Sequence, residues 1–149
     1  MKKFALVTGA SSGIGLQICH SLARRGYNII LTSRSENKLK TISEEINSKH
    51  GVETTYFSCD LAKKEGPQNI YNFCESKNLK IDVLVNNAGY ALPDAFEKNS
   101  VEDEENCIRV LGTSVISLTK LFVRNMIKNN HGKIMIVSSV AAFAPPAAI

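Results

Sequence analysis

A chain of 149 residues with 44% hydrophobic and 21% charged residues has room for one domain, 1–149, with one sizeable core. The net charge of +4 is spread thin: "KHG" and "LAKKEG" are isolated, so no basic patch for nucleic acid is expected. No apolar run approaches the ~20 residues that span a bilayer, and the "FALV" after Lys2-Lys3 is short of the roughly 7–15 residues of a signal-peptide core.

Cys19, Cys59, Cys74 and Cys107 form no CxxC pair and have no histidine at metal-ligand spacing. They read as reduced, apolar residues of a cytoplasmic protein, and no metal site is expected. His20, His50 and His131 are scattered and read as surface or cap residues.

In chain order, "KFALVT" (Lys3–Thr8) is a short apolar run that reads as the first strand. It runs into "TGASSGIG" (Thr8–Gly15), and a helical pattern follows, with Ile14, Ile18 and Leu22 on one apolar face beside Cys19 and Ala23. Gly26 stands where a C′ glycine ends a helix. Gly9, Gly13 and Gly15 let the backbone turn tightly and approach a ligand, with Ser11, Ser12 and Ile14 between them. A helix starting near Gly13 would aim free N–H groups and its positive dipole end at that ligand, a geometry suited to a pyrophosphate. A plain strand–helix turn also uses glycine, but the strand before and the helix after are the context of a dinucleotide site. The spacing is not GxxxxGK[ST], which disfavours an ATPase loop.

"NIILTS" (Asn28–Ser33) reads as the second strand, followed by a helix marked by Leu39, Ile42 and Ile46 that ends near Gly51. An acidic residue at the end of this strand would bind the adenosine ribose and exclude a 2′-phosphate. Ser33 stands there instead and Arg34 follows, a hydroxyl beside a guanidinium, which favours NADP(H) over NAD(H). The alternative is that Arg34 is a solvated charge at a helix entry.

"ETTYFS" (Glu53–Ser58) reads as the third strand. Asp60 beyond it suits the N-cap of a helix over 62–76, with Ile70, Phe73 and Cys74 inward and Gly66-Pro67 interrupting its first turn. "IDVLVNN" (Ile81–Asn87) is a fourth strand running into "NNAG" (Asn86–Gly89), where asparagine tolerates left-handed turns and Ala88 and Gly89 leave room for a ribose. A long helix is predicted over 101–129, with Ile108, Leu111, Val115, Leu118, Phe122 and Met126 at helical spacing, then a fifth strand, "GKIMIVSS" (Gly132–Ser139). Strands alternating with helices predict an α/β fold, a Rossmann-like doubly wound parallel sheet with helices on both faces. Ligands of such sheets bind beyond the carboxyl ends of the strands, near the switch in strand order.

TGxxxGxG after the first strand and NNAG after the fourth resemble the cofactor signatures of the short-chain dehydrogenase/reductase family, and the resemblance covers the whole chain. It implies an NADP(H)-dependent oxidoreductase that passes hydride between nicotinamide and a small-molecule carbonyl or alcohol substrate. It implies that Asp60 contacts the adenine amino group with the Leu61 backbone nearby, and that Asn87, Ala88 and Gly89 line the cofactor. Ser139 would stabilise the substrate oxygen. Aligning on Gly112 puts Arg109 where many members carry a helix-distorting, water-holding asparagine, and Arg cannot be deprotonated.

The family's YxxxK proton donor belongs a dozen or so residues beyond Ser139, whereas Tyr27, Tyr56, Tyr71 and Tyr90 have no lysine four residues on. The expectation is therefore a C-terminally incomplete sheet of about five strands. Its 149 residues would be inactive alone and prone to self-association, while a full-length relative would be a homo-oligomer. The alternatives are a non-catalytic nucleotide-binding module or a remnant of an interrupted gene.

Overall fold

The computed structural model describes residues 2–92 and 95–143. Five strands form one parallel sheet: β1 (Phe4–Thr8), β2 (Asn28–Ser33), β3 (Thr54–Ser58), β4 (Ile81–Asn86) and β5 (Lys133–Ile136), in the order β3-β2-β1-β4-β5. The chain winds outward from β1 in both directions, so the order switches between β1 and β4, the place where such sheets leave a crevice.

The alternation of side chains along the strands sorts the core into two layers. Ala5, Val7, Ile29 and Leu31 pack on α1 (Gly13–Arg24) and α2 (Glu36–His50) through Cys19, Leu39 and Ile46. Leu6, Ile30 and Leu84 pack on α3 (Gly66–Ser76) and α5 (Ser114–Lys128) through Ile70, Leu118 and Phe122. Phe57 of β3 stacks on Phe73 of α3 at 4.7 Å between ring centroids.

Several helices are rotated or shifted from their sequence pattern. On α1 the buried line is Gly15, Cys19 and Ala23, while Ile14 is 64% exposed, because the glycine-rich turn presents the second helical residue to the crevice rather than to the sheet. Residues 62–65 form a turn, and Gly66-Pro67 begin α3 instead of interrupting it, since proline suits the first helical positions, where no intrahelical N–H is needed.

The long helix is α4 (Val101–Ile108), a π-turn (Arg109–Thr113) and α5 in one 28-residue rod. The π-turn adds a residue to the ladder, so the buried stripe becomes Val110, Ser114, Leu118, Phe122 and Met126, and Ile108 and Leu111 face out. By length and composition alone this rod is apolar enough to cross a bilayer, which the absence of an unbroken apolar run does not signal; its buried stripe packs onto β4 and α3.

β5 is shorter than predicted and exposed along its length, and among the described residues it pairs only with β4. His20 is buried, contrary to its reading as a surface or cap residue. It sits between α1 and α2, with its Nδ1 3.0 Å from His50 Nε2. All four cysteines are free; burial pushes the Cys19 and Cys74 thiols up to about 12 and Cys59 to about 11.

Candidate functional site

A cleft of about 1010 Å³ lies over the carboxyl ends of the strands, at the upper end of the size range of ligand sites. Every residue singled out in the sequence as cofactor-binding lines it: Gly9, Ser11, Ser12, Gly13, Ile14 and Gly15 after β1, Arg34 after β2, Asp60 and Leu61 after β3, and Asn87, Ala88 and Gly89 after β4. Ser139 lines it from beyond β5.

The turn after β1 is built for close approach. Ser12 is the N-cap of α1, yet its side chain makes no cap hydrogen bond, and no acidic residue lies in the first turn. A serine at this position ordinarily satisfies one of the helix's free N–H groups. Here those donors, and the positive end of the helix dipole, are left free, the arrangement that suits an anion. Gly13 has φ +53°, a left-handed conformation that other residues rarely adopt, and a Cβ there would meet nothing within 4 Å, leaving the backbone bare to the crevice. Gly15 is a glycine for a different reason: a Cβ would collide with Gly9 O and Asn87 Nδ2.

Those contacts show what holds the crevice floor together. Asn87 Nδ2 donates to Thr8 O at 2.9 Å and to Gly9 O at 3.3 Å. The Asn87 and Ala88 backbone N–H groups donate to Thr8 Oγ1 at 2.9 and 3.0 Å, and that hydroxyl donates to Val85 O at 3.2 Å. Asn87 and Thr8 thus lock the ends of β1 and β4 together at the switch in strand order. Asn87, not Asn86, ties the two strands. Asn86 instead reaches behind the sheet to Thr119 Oγ1 at 3.3 Å.

At the β2 end, Ser33, Arg34, Ser35 and Lys38 line the cleft, and no acidic residue ends the strand. Arg34 is exposed, and among the described residues it forms no ion pair with a carboxylate. Asp60 Oδ1 accepts from Ala62 N at 2.9 Å. It therefore caps a turn, not α3, whose N-cap is Glu65.

At the β5 end, Ser139 Oγ accepts from Ala141 N at 3.1 Å, which leaves its own O–H free to donate. The rest of that stretch, residues 144–149, lies outside the described residues. Arg109 does not line the cleft; Cys107, Val110 and Leu111 do, because the π-turn turns its side chain aside. The charge of Arg109 is therefore absent from the cleft lining.

Sequence reasoning misses several lining or supporting residues, among them Thr8, Lys38, Thr32 and Tyr90. Thr8 is visible as the first letter of TGASSGIG, and Lys38 as the residue one helical turn after Arg34. Thr32 and Tyr90 give no signal, because their place in the cleft depends on neighbours distant in sequence. Among the described residues no group of three His, Cys, Asp or Glu could hold a metal.

Comparison with known proteins bears on what this cleft belongs to. The chain is 39% identical over 149 residues to the very-long-chain 3-oxoacyl-CoA reductase-B of Danio rerio, covering 96% of this chain and 47% of that protein. It is 36% identical over 145 residues to the 3-oxoacyl-[acyl-carrier-protein] reductase of Aquifex aeolicus, covering 95% of this chain and 57% of that one. The chain thus spans about half the length of the curated relatives it matches. Among solved structures, the L-sorbose reductase of Gluconobacter frateurii, complexed with NADPH and L-sorbose, superposes with a TM-score of 0.92 at 28% identity, covering 99% of this chain and 56% of that one. A short-chain dehydrogenase of Sphingobium yanoikuyae in complex with NADPH gives 0.90 at 27% identity, covering 98% and 57%. The family described as short chain dehydrogenase matches residues 3–149. The chain belongs to that family.

Proposed function

We propose that this chain carries the NADP(H) site of a reductase that acts on a carbonyl group, within a thioester-linked 3-oxoacyl substrate class like that named for its relatives. One observation carries the reading: Arg34 and Lys38 stand with Ser33 and Ser35 at the end of the cleft opposite Ser139, where no carboxylate ends β2 to repel a ribose phosphate. Guanidinium and ammonium groups suit a phosphate, and the uncapped start of α1 suits a pyrophosphate between the two ends. NADPH in two of the similar structures supports the same assignment.

When bound, a nicotinamide supplies hydride to the substrate carbon. The residues of this chain hold and orient. Gly13, Ile14 and Gly15 offer backbone N–H groups to the pyrophosphate, Asp60 and Leu61 flank the adenine, and Ala88 and Gly89 leave room for a ribose. Ser139 donates its free O–H to the substrate oxygen as negative charge develops there.

The proton for that oxygen needs a donor that Tyr27, Tyr56, Tyr71 and Tyr90 do not provide in a YxxxK setting. We therefore expect the 149 residues to bind nucleotide without turnover. Titration with NADPH and NADH, followed by nicotinamide fluorescence, tests the reading. NADPH is expected to bind more tightly, and Arg34→Asp to remove about tenfold or more of that preference, the worth of a charge-assisted hydrogen bond. Equal affinities for the two nucleotides would overturn the NADP(H) assignment. Steady reduction of a 3-oxoacyl thioester by this chain alone would overturn the expectation of inactivity.

A further inference from the structure

Tyr90 directly follows Asn86–Gly89, and its ring meets the guanidinium of Arg34, whose Cζ lies 5.9 Å from the ring centroid. The two residues come from opposite sides of the crevice, since Arg34 follows β2, Tyr90 follows β4, and β1 lies between those strands. Their backbones are anchored. Ser58 Oγ donates to Arg34 O at 3.0 Å, and the Cys107 thiol contacts Tyr90 O at 3.7 Å. Tyr90 is half-buried and packs against the core layer beneath α5, whereas Arg34 is exposed. Among the described residues the Tyr90 hydroxyl makes no hydrogen bond, so its ring is what engages Arg34.

We infer that Tyr90 is a positioning residue for cofactor selection. Its ring holds the Arg34 guanidinium over the ribose end of the cleft, ready for a 2′-phosphate. An arginine side chain free in water samples many rotamers, and a phosphate contact must overcome whatever part of that freedom remains. A cation–π contact uses the ring face and the guanidinium charge and consumes none of its N–H donors, so stacking and phosphate binding are compatible. Tyr90 therefore favours the phosphorylated cofactor without touching the phosphate. The inference rests on the NADP(H) reading above.

The test compares Tyr90→Leu and Tyr90→Phe, each titrated with NADPH and NADH on the same preparation. The ratio of the two dissociation constants is then independent of how much of the sample is folded. Tyr90→Leu should reduce the NADPH preference about two- to fivefold, the range for an exposed cation–π contact. Tyr90→Phe should keep the wild-type ratio. In an Arg34→Ala background, Tyr90→Leu should have no further effect on the ratio.

An unchanged ratio in Tyr90→Leu, equal weakening of both nucleotides, or a Tyr90→Phe that behaves like Tyr90→Leu would each overturn the inference. If Arg34→Ala leaves the ratio unchanged, the NADP(H) reading falls and this inference with it. If Arg34→Ala lowers the ratio and Tyr90→Leu does not, only the role of Tyr90 falls.

Discussion

The two sides of the cleft are held by different means. On the cofactor side, β1, β2 and β4 are buried between two layers of helices, and Thr8, 1% exposed, joins β1 to β4 through a hydroxyl shared by two backbone N–H groups. On the substrate side, β5 has one strand partner among the described residues. Ile134, Met135 and Ile136 are 36%, 47% and 58% exposed, and Ser139 is steadied by a local bond to Ala141 N. The floor beneath the proposed nucleotide site is therefore self-supporting, while the wall that carries Ser139 leans, among the described residues, on β4 and on fewer contacts with α5. Nucleotide binding should then be separable from any disturbance at β5, and sensitive to small changes where β1 meets β4.

Gly15→Ala strikes that meeting point hardest. The added methyl collides with Gly9 O and Asn87 Nδ2, and the first of these is backbone that cannot swing away. Overpacking of this kind costs about 1–3 kcal/mol, and NADPH binding should be lost in the fluorescence titration; retained binding at wild-type stability would mean the crossing is loose.

Thr8→Val keeps the shape and removes the hydroxyl, leaving the Asn87 and Ala88 N–H groups without their partner. Urea unfolding should register a loss of about 1–3 kcal/mol.

Met135→Lys addresses the other side. The exposed β5 edge should drive self-association visible by sedimentation velocity, and a lysine on it should shift the distribution toward monomer. Stability should change by no more than about 0.5 kcal/mol, as for most surface substitutions. Nucleotide affinity should stay put, and a parallel fall would show that the two sides are not independent.

The smallest effect concerns the helices beneath the cofactor side. Desolvation between α1 and α2 holds His50 below its ordinary value of 6.5, helped by His20, Lys49 and Arg24 and opposed by Glu45. Between 6.5 and that lowered value the unfolded chain binds more protons than the folded one. Stability should therefore be full above 6.5 and fall as the pH drops through that window. His50→Gln should flatten the fall, measured as melting midpoints on either side of 6.5.

Much of this protein is legible in its amino-acid sequence. Short apolar runs read as strands because both faces of a central parallel strand are buried, so periodicity matters less than length and the glycine or serine that follows. The residues that line the cleft are legible for a related reason: the fold delivers every strand's carboxyl end to one edge, so whatever follows a strand faces the ligand. Ile14 departs from its expected place because its spacing fits the apolar face of α1, and only the direction in which the glycine turn launches that helix decides which residues face the sheet. Ile108, Leu111 and Arg109 depart from theirs because one extra residue in a π-turn rotates everything before it, and helical spacing cannot register an insertion that keeps the helix going.

The sequence by itself determined the order of elements, the parallel sheet and the place of the nucleotide turn, since these follow from local pattern and chain connectivity. Only the tertiary structure decided that Thr8 meets Asn87, that His20 is buried against His50, and that Tyr90 reaches Arg34. Those pairs lie far apart along the chain, and no local periodicity encodes them. They exist because the sheet order brings their strands and helices side by side.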